Sequence, residues 1–188
     1  MAMKGVVFKH FESFVVDSFG EELYETVLGE AELGSDGVFL GPETYPDADL
    51  FALVGKVLEK TGLELPAALQ AFGRFLFDAL ADGAPVYLEG HDLRSFLESV
   101  DSVIHVEVRK LFPDAETPEI EFQDAGPATF VMRYRSSRQL CHLFRGLLEG
   151  SAARFGEKID YRESDCMLHG ADACEFRVQV AGEVNKAA

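Results

Sequence analysis

Positive charge is scarce in this sequence: 17 Lys and Arg stand against 33 Asp and Glu, a formal net charge of -16 over 188 residues. This argues against nucleic acid or an anionic membrane surface as the main partner, since both reward a basic face. The acidity itself has two readings, a solvated surface or a docking face for a basic partner protein. Long apolar runs are missing too. No stretch approaches the roughly 20 residues that span a bilayer, and the opening "MAMKGVVFKHFESF" has neither the apolar segment nor the cleavage site of a signal peptide. A cytoplasmic protein is expected. Cysteine is sparse and odd in number (Cys141, Cys166, Cys174), so metal ligation or plain burial is favoured over disulfides. No repeat, low-complexity segment, phosphate loop or nucleophile–base pair is visible, and the carboxylates are too diffuse to mark an acid–base pair. An enzyme is therefore not expected.

What is present suits one domain, residues 1–188, with a sizeable core: apolar content is 47% and charged content 27%. The part from about 3 to 83 reads as helical. "GVVFKHFESFVVDSFG" has apolar residues at helical spacing and stops at Gly20, and "EELYETVLGEA" is a shorter helix. Residues 32–50 are rich in Gly, Pro and Asp and read as a loop. "ADLFALVGKVLEK" closes at Thr61-Gly62, and "LPAALQAFGRFLFDALADG" begins with Pro66 and presents Leu69, Phe72, Leu76 and Leu80 as its apolar face. Next, "HDLRSFLESVDSVIHVEVRKLFP" has Asp92 as N-cap, Pro113 as terminator and a stripe of Leu97, Val100, Ile104, Val108 and Leu111. From about 90 to 180 the order is this helix, then β-β-α-β-β. Hairpins turn at Ala125-Gly126-Pro127 and near His169-Gly170-Ala171-Asp172, and "SRQLCHLFRGLLEGSAARFG" is the helix between them. The tail "AGEVNKAA" reads as loose.

Two features carry chemistry. His105 lies on the edge of its helix's apolar stripe, where the bland reading is a satisfied core histidine. The functional reading is axial ligation of haem iron, because burial favours the neutral imidazole that binds metal. In "MRYRSSRQL", Tyr134, Ser136 and Arg138 fall at i, i+2 and i+4, on one side if the chain is extended. All three donate hydrogen bonds, so they suit an anion such as a haem carboxylate; a helix cap plus a surface Arg is the bland account.

Together these residues resemble the H-NOX family, the haem-nitric oxide/oxygen-binding domains related to the haem domain of soluble guanylate cyclase. The resemblance runs from "MKGVVF" at Met3 over nearly the whole chain, with Met1-Ala2 standing before it as an added remnant or an upstream start. It implies an α+β fold, with haem b buried between a helical N-terminal lobe and a C-terminal lobe containing a four-stranded antiparallel sheet and helix. It implies His105 as axial ligand, Tyr134, Ser136 and Arg138 as the Tyr-x-Ser-x-Arg propionate motif, and Pro118 in "AETPEI" as the proline that distorts the porphyrin. "FRGLLEG" resembles the helix after the motif.

The resemblance also bears on the gas. Oxygen-binding members place a distal tyrosine five residues after the motif arginine; here that position is Leu143, and two other polar distal positions fall on Phe11 and Leu76. With Val7 and Leu147 the distal pocket is expected to be apolar. Bound dioxygen gains from a donor and nitric oxide does not need one. Losing a charge-assisted hydrogen bond costs about 1.5–3 kcal/mol, roughly ten- to a hundred-fold in affinity. Nitric oxide is therefore the expected ligand, one that weakens or breaks the iron–His105 bond so that the haem, no longer pulled against Pro118, can flatten. The chain has no room for an output domain, so signalling is expected in trans, to a histidine kinase or a cyclic-di-GMP enzyme (diguanylate cyclase or phosphodiesterase). Some members hold zinc with three cysteines and a histidine. Cys141, Cys166 and Cys174 fit, but Glu163 stands at the histidine position, leaving Glu163, His142 or His169 (Asp165 less so) as fourth ligand. The alternative function is a zinc-dependent thiol redox sensor built on these cysteines.

Overall fold

The protein was described as a computed structural model covering residues 1–183. Four helices build the N-terminal half: α1 (Gly5–Phe19), α2 (Glu21–Glu30), α3 (Asp47–Thr61) and α4 (Leu65–Gly83). Their ends follow local chemistry. Gly62 closes α3 in the left-handed region at φ 71°, its N–H donating to the Leu58 carbonyl at 2.9 Å. Pro66 sits in the first turn of α4, where no N–H is missed. Phe8, Phe11, Phe14, Val27, Leu50, Leu53 and Phe72 anchor one hydrophobic cluster among them.

Residues 32–50 are not all loop. Strand β1 (Ala2–Lys4) pairs antiparallel with β2 (Thr44–Pro46), register Met3↔Tyr45. Three-residue strands are too short to show a period of two, so spacing could not reveal them. The expected face of α4 also needs correction. Phe72 and Leu76 are buried, but Leu80 is 43% exposed, and Phe77 and Ala81 are buried in its place. The helix packs on two sides, with Phe72 against Phe11 and Phe14 and Gly73 and Phe77 against a later helix, so its buried arc is rotated from a single stripe.

The His105 helix departs most from its periodicity. Asp92 caps α5 (Leu93–Ser99) through a reciprocal box with Ser95, as expected. A π turn over Val100–Ile104 follows, closed by the His105 N–H on the Val100 carbonyl, before α6 (His105–Leu111) resumes. The extra residue in the ladder breaks the predicted stripe. Leu97 is buried, Val100, Ile104 and Val108 are half-buried, and Leu111 is 70% exposed. No residue of the π turn or of α6 is fully buried.

The C-terminal part forms one antiparallel sheet, order β3-β4-β6-β5, from β3 (Glu119–Asp124), β4 (Thr129–Arg135), β5 (Glu157–Asp165) and β6 (Cys174–Glu183). Residues 181–183 of the expected loose tail finish β6, and 184–188 lie outside the described residues. Phe130, Met132, Tyr134, Phe176 and Val178 pack with α5 and with α7 (Cys141–Arg154) in a second cluster; Leu147 touches both clusters. The helix α7 begins later than expected, because Ser136–Leu140 is a turn with Gln139 at φ 51°. Among the described residues no helix is long and apolar enough to cross a membrane.

The two halves meet where α4 crosses α7 with almost no side chain between them. A Cβ on Gly146 would lie 2.8 Å from the Gly73 Cα, and one on Gly150 2.9 Å from the Phe77 Cβ. This accounts for the glycines of "FRGLLEG". Gly146→Ala should cost about 1–3 kcal/mol by overpacking, read as a lower urea midpoint with an unchanged m-value.

Candidate functional site

His105 opens α6 with its side chain 16% exposed. Its Nδ1 lies 3.1 Å from the Asp101 Oδ1, one turn earlier. Burial lowers the imidazole pKa from its ordinary value; Asp101 and the Pro118 carbonyl oppose the shift, and Arg109 reinforces it. The net effect favours a neutral ring. Pro118, half-buried, leads into β3 and stands beside the imidazole.

The Tyr-Ser-Arg stretch is not uniformly extended. Tyr134 is the penultimate residue of β4, buried, with its ring stacked on Phe144 at 4.9 Å between centroids. Its hydroxyl meets the Ser136 hydroxyl and the Leu140 amide; burial pushes its pKa up to about 12. Ser136 Oγ accepts the Arg138 N–H at 3.2 Å. Two hydroxyls and an amide thus gather at the N-terminal end of α7, a donor set suited to an anion. The Arg138 side chain goes elsewhere than a same-side alignment implies, because the turn redirects it. Its Nε donates to Asp47 Oδ2 at 2.8 Å, Nη1 to the Glu116 carbonyl at 2.9 Å, and Nη2 to the Ala2 carbonyl. Glu116 Oε2 is 3.4 Å away and half exposed.

All five expected distal residues lie in one apolar cluster. Phe11 and Leu76 are buried, and Val7, Leu143 and Leu147 pack against them half-buried. None of the five side chains carries a donor. Tyr45, also in that cluster, accepts the Leu40 N–H at its hydroxyl at 2.8 Å.

Cys141, Cys166 and Cys174 are buried free thiols whose sulfurs all lie within 4.8 Å of one another. Cys174 Sγ accepts the Met167 N–H at 3.3 Å and lies 3.9 Å from Cys166 Sγ. Burial raises all three thiol pKa values, that of Cys174 to about 11. Of the fourth-ligand candidates, His142 Nδ1 is 2.9 Å from Arg145 Nη1, and Glu163 Oε2 accepts from Arg145 Nη2. Glu163 Oε1 is buried without a hydrogen-bond partner, and the Glu163 carboxylate interacts with the Cys166 thiol. His169 is exposed and, with Glu163, Asp165 and Cys166, lines an open pocket.

Sequence reasoning missed Asp101, Asp47 and the contacts that join the lobes. Lys4 Nζ donates to Thr44 Oγ1 at 2.8 Å and pairs with Asp114 at 2.8 Å; with Thr44 it holds the Asp114 carboxyl down to about 2. Asp101, four residues before His105, was the one legible signal, as an i,i+4 pair. The other partners come from distant segments.

The comparisons agree with this layout. A family model described as Haem-NO-binding matches residues 4–163. An H-NOX protein from S. oneidensis, solved in the Fe(II)NO state, is 31% identical; the match covers 96% of this chain and all of that one, with a TM-score of 0.89. Unliganded Fe(II) H-NOX from K. algicida is 27% identical over 98% of this chain and all of that one, TM-score 0.87. An oxygen-binding H-NOX domain related to soluble guanylate cyclases, solved as its oxygen complex, is 24% identical over 99% of each chain, TM-score 0.83. That last likeness concerns the fold alone.

The Arg138–Asp47 pair is dry, with side chains 7% and 6% exposed. Removing Asp47 leaves the buried Arg138 Nε without its acceptor and the charge with only the long Glu116 contact, so Asp47→Ala should lower stability by about 3 kcal/mol, measured by denaturant titration.

Proposed function

The chain belongs to the haem-NO-binding, or H-NOX, family of non-catalytic haem sensors that signal to a partner protein, and on that premise we propose that it is a nitric oxide sensor. Haem b would hang from His105, with Pro118 beside it and its propionates met by Tyr134, Ser136 and Arg138. The residues suit it. His105 offers a neutral imidazole, and no residue of α6 is fully buried, although the helix carries Val106, Val108 and Leu111, so an apolar cover is wanting. The hydroxyls of Tyr134 and Ser136 stand with the Leu140 amide, and Arg138 can exchange the long, half-exposed Glu116 contact for a carboxylate. A haem held there would supply a ferrous iron able to bind nitric oxide, and His105 is the residue whose hold on that iron nitric oxide would loosen.

The single observation that carries the gas preference is the apolar set Val7, Phe11, Leu76, Leu143 and Leu147 in one cluster. With no donor from these five side chains, dioxygen loses about 1.5–3 kcal/mol of stabilisation. A shift of His105 travels along α6 into residues 112–118. There Lys4, Thr44 and Arg138 hold Asp114 and Glu116 and pass the movement to the N-terminal lobe. The receiver is a separate cytoplasmic protein, a histidine kinase or a diguanylate cyclase or phosphodiesterase, rather than nucleic acid or a membrane. The net charge of -16 suits a basic docking face.

A second reading rests on the cysteines, as a zinc-linked redox sensor. Three sulfurs within 4.8 Å of one another, a backbone N–H on Cys174 and the Glu163 carboxylate beside Cys166 suit zinc with Glu163 as fourth ligand. His142 is engaged by Arg145 and His169 is exposed. Burial alone keeps these thiols protonated and slow to oxidise, so redox sensing here would need metal to hold them as thiolates.

The ferrous protein should show a Soret band that is lost or shifted in His105→Gly, and it should form no stable oxy complex in air. A stable oxy spectrum would sink the gas assignment. Elemental analysis should find one zinc per chain, lost in Cys174→Ser with haem content unchanged.

A further inference from the structure

A neutral imidazole has one N–H, and the atom that carries it decides which nitrogen can face a metal. His105 Nδ1 lies 3.1 Å from Asp101 Oδ1. The Pro118 carbonyl is a second acceptor near the ring, but a carboxylate acceptor makes the stronger bond. Nδ1–H toward Asp101 leaves the Nε2 lone pair free. The carboxylate is not isolated. Arg109 Nη1 lies 3.9 Å from the same Oδ1 and donates to Thr117 Oγ1 at 2.6 Å. Thr117 directly precedes Pro118. Asp101, His105 and Arg109 are thus spaced four apart along the π turn and α6, and Arg109 ties them to the residue next to Pro118.

We propose that Asp101 is a positioning residue for the axial imidazole and that Arg109, anchored on Thr117, tunes it. Accepting the Nδ1–H fixes the tautomer and ring orientation and gives the imidazole imidazolate character, which strengthens its bond to iron. The Arg109 charge draws on the same oxygen and moderates that donation. The strength of the bond that nitric oxide must break is therefore set by two side chains outside the haem contact. Through Thr117, movement of the Pro118 segment reaches the same oxygen. This inference rests on the haem reading of His105.

The test is the iron–histidine stretching band in the resonance Raman spectrum of the ferrous, unliganded holoprotein. Asp101→Asn should move the band to lower frequency, Asp101→Glu should leave it near wild type, and Arg109→Gln should move it to higher frequency. A merely structural role would change haem uptake or stability without opposite shifts from the two positions. Asp101→Asn and wild-type bands that coincide at equal haem content overturn the proposal. If Asp101→Asn takes up no haem, the Arg109→Gln band decides, and its failure to rise overturns the proposal equally. A wild-type protein with no Soret band overturns the haem reading itself, and this inference with it.

Discussion

The contact on which the site depends is the backbone-to-backbone crossing of α4 and α7 at Gly73 and Gly146. It carries little chemistry of its own. By bringing the helices to within a Cβ's width, it fixes α7 in both position and rotation. That rotation points Leu143 and Leu147 toward Leu76 and the α1 residues Val7 and Phe11, and it sends Phe144 and Leu148 the other way, onto the sheet. It also places the start of α7, where the Leu140 amide meets the Tyr134 hydroxyl, and one residue later Cys141 among the other thiols. The apolar set, the hydroxyls and amide before α7, and the thiol cluster are therefore three consequences of one close approach. A side chain at Gly146 would disturb all of them together.

The lobes are joined by polar contacts of unequal weight. Lys4 is mostly covered but Asp114 is 58% exposed, and a pair open to water on one side contributes little. Arg138 and Asp47 are dry, and each would be costly if left alone. Both reach the same short segment, residues 112–118, which also contains Thr117 and Pro118. The helix carrying His105 thus ends in a stretch gripped on one side by the N-terminal lobe and on the other by Arg109. Such a segment suits a relay. It is too polar to slide freely and too short to absorb a displacement of α6 by bending.

Much of this was legible before any coordinates. The four N-terminal helices, the Asp92 cap and both hairpins follow from apolar spacing and turn residues, and the order β-β-α-β-β survives intact. The differences have two causes: contacts set by segments distant in sequence, and a π turn that interrupts one helix. Leu80 was assigned to the core because a single stripe was assumed, whereas α4 is packed from two sides. Leu111 was assigned likewise because a π turn leaves no mark in periodicity. Nor does spacing reveal that Asp47, 91 residues away, meets the Arg138 Nε. The β1–β2 pairing has the same character, two three-residue strands defined only by each other.

The Asp47 contact bears directly on what Arg138 can offer an anion. A guanidinium with no partner would have been a poor candidate for a buried site, since an uncompensated charge is expelled or destabilising. Asp47 removes that difficulty by holding Nε, while the Glu116 side chain, half exposed at 3.4 Å, holds the opposite edge weakly. On the proposed reading, a propionate could replace Glu116 without unpairing Arg138 from the N-terminal lobe. The hydroxyls of Tyr134, near the end of β4, and Ser136, in the turn that follows, would be left to take the remaining lone pairs. On the proposed reading, ligand capture and lobe contact would converge on one side chain, which is the physical condition for a change at the haem to be felt at Asp47 and Ala2.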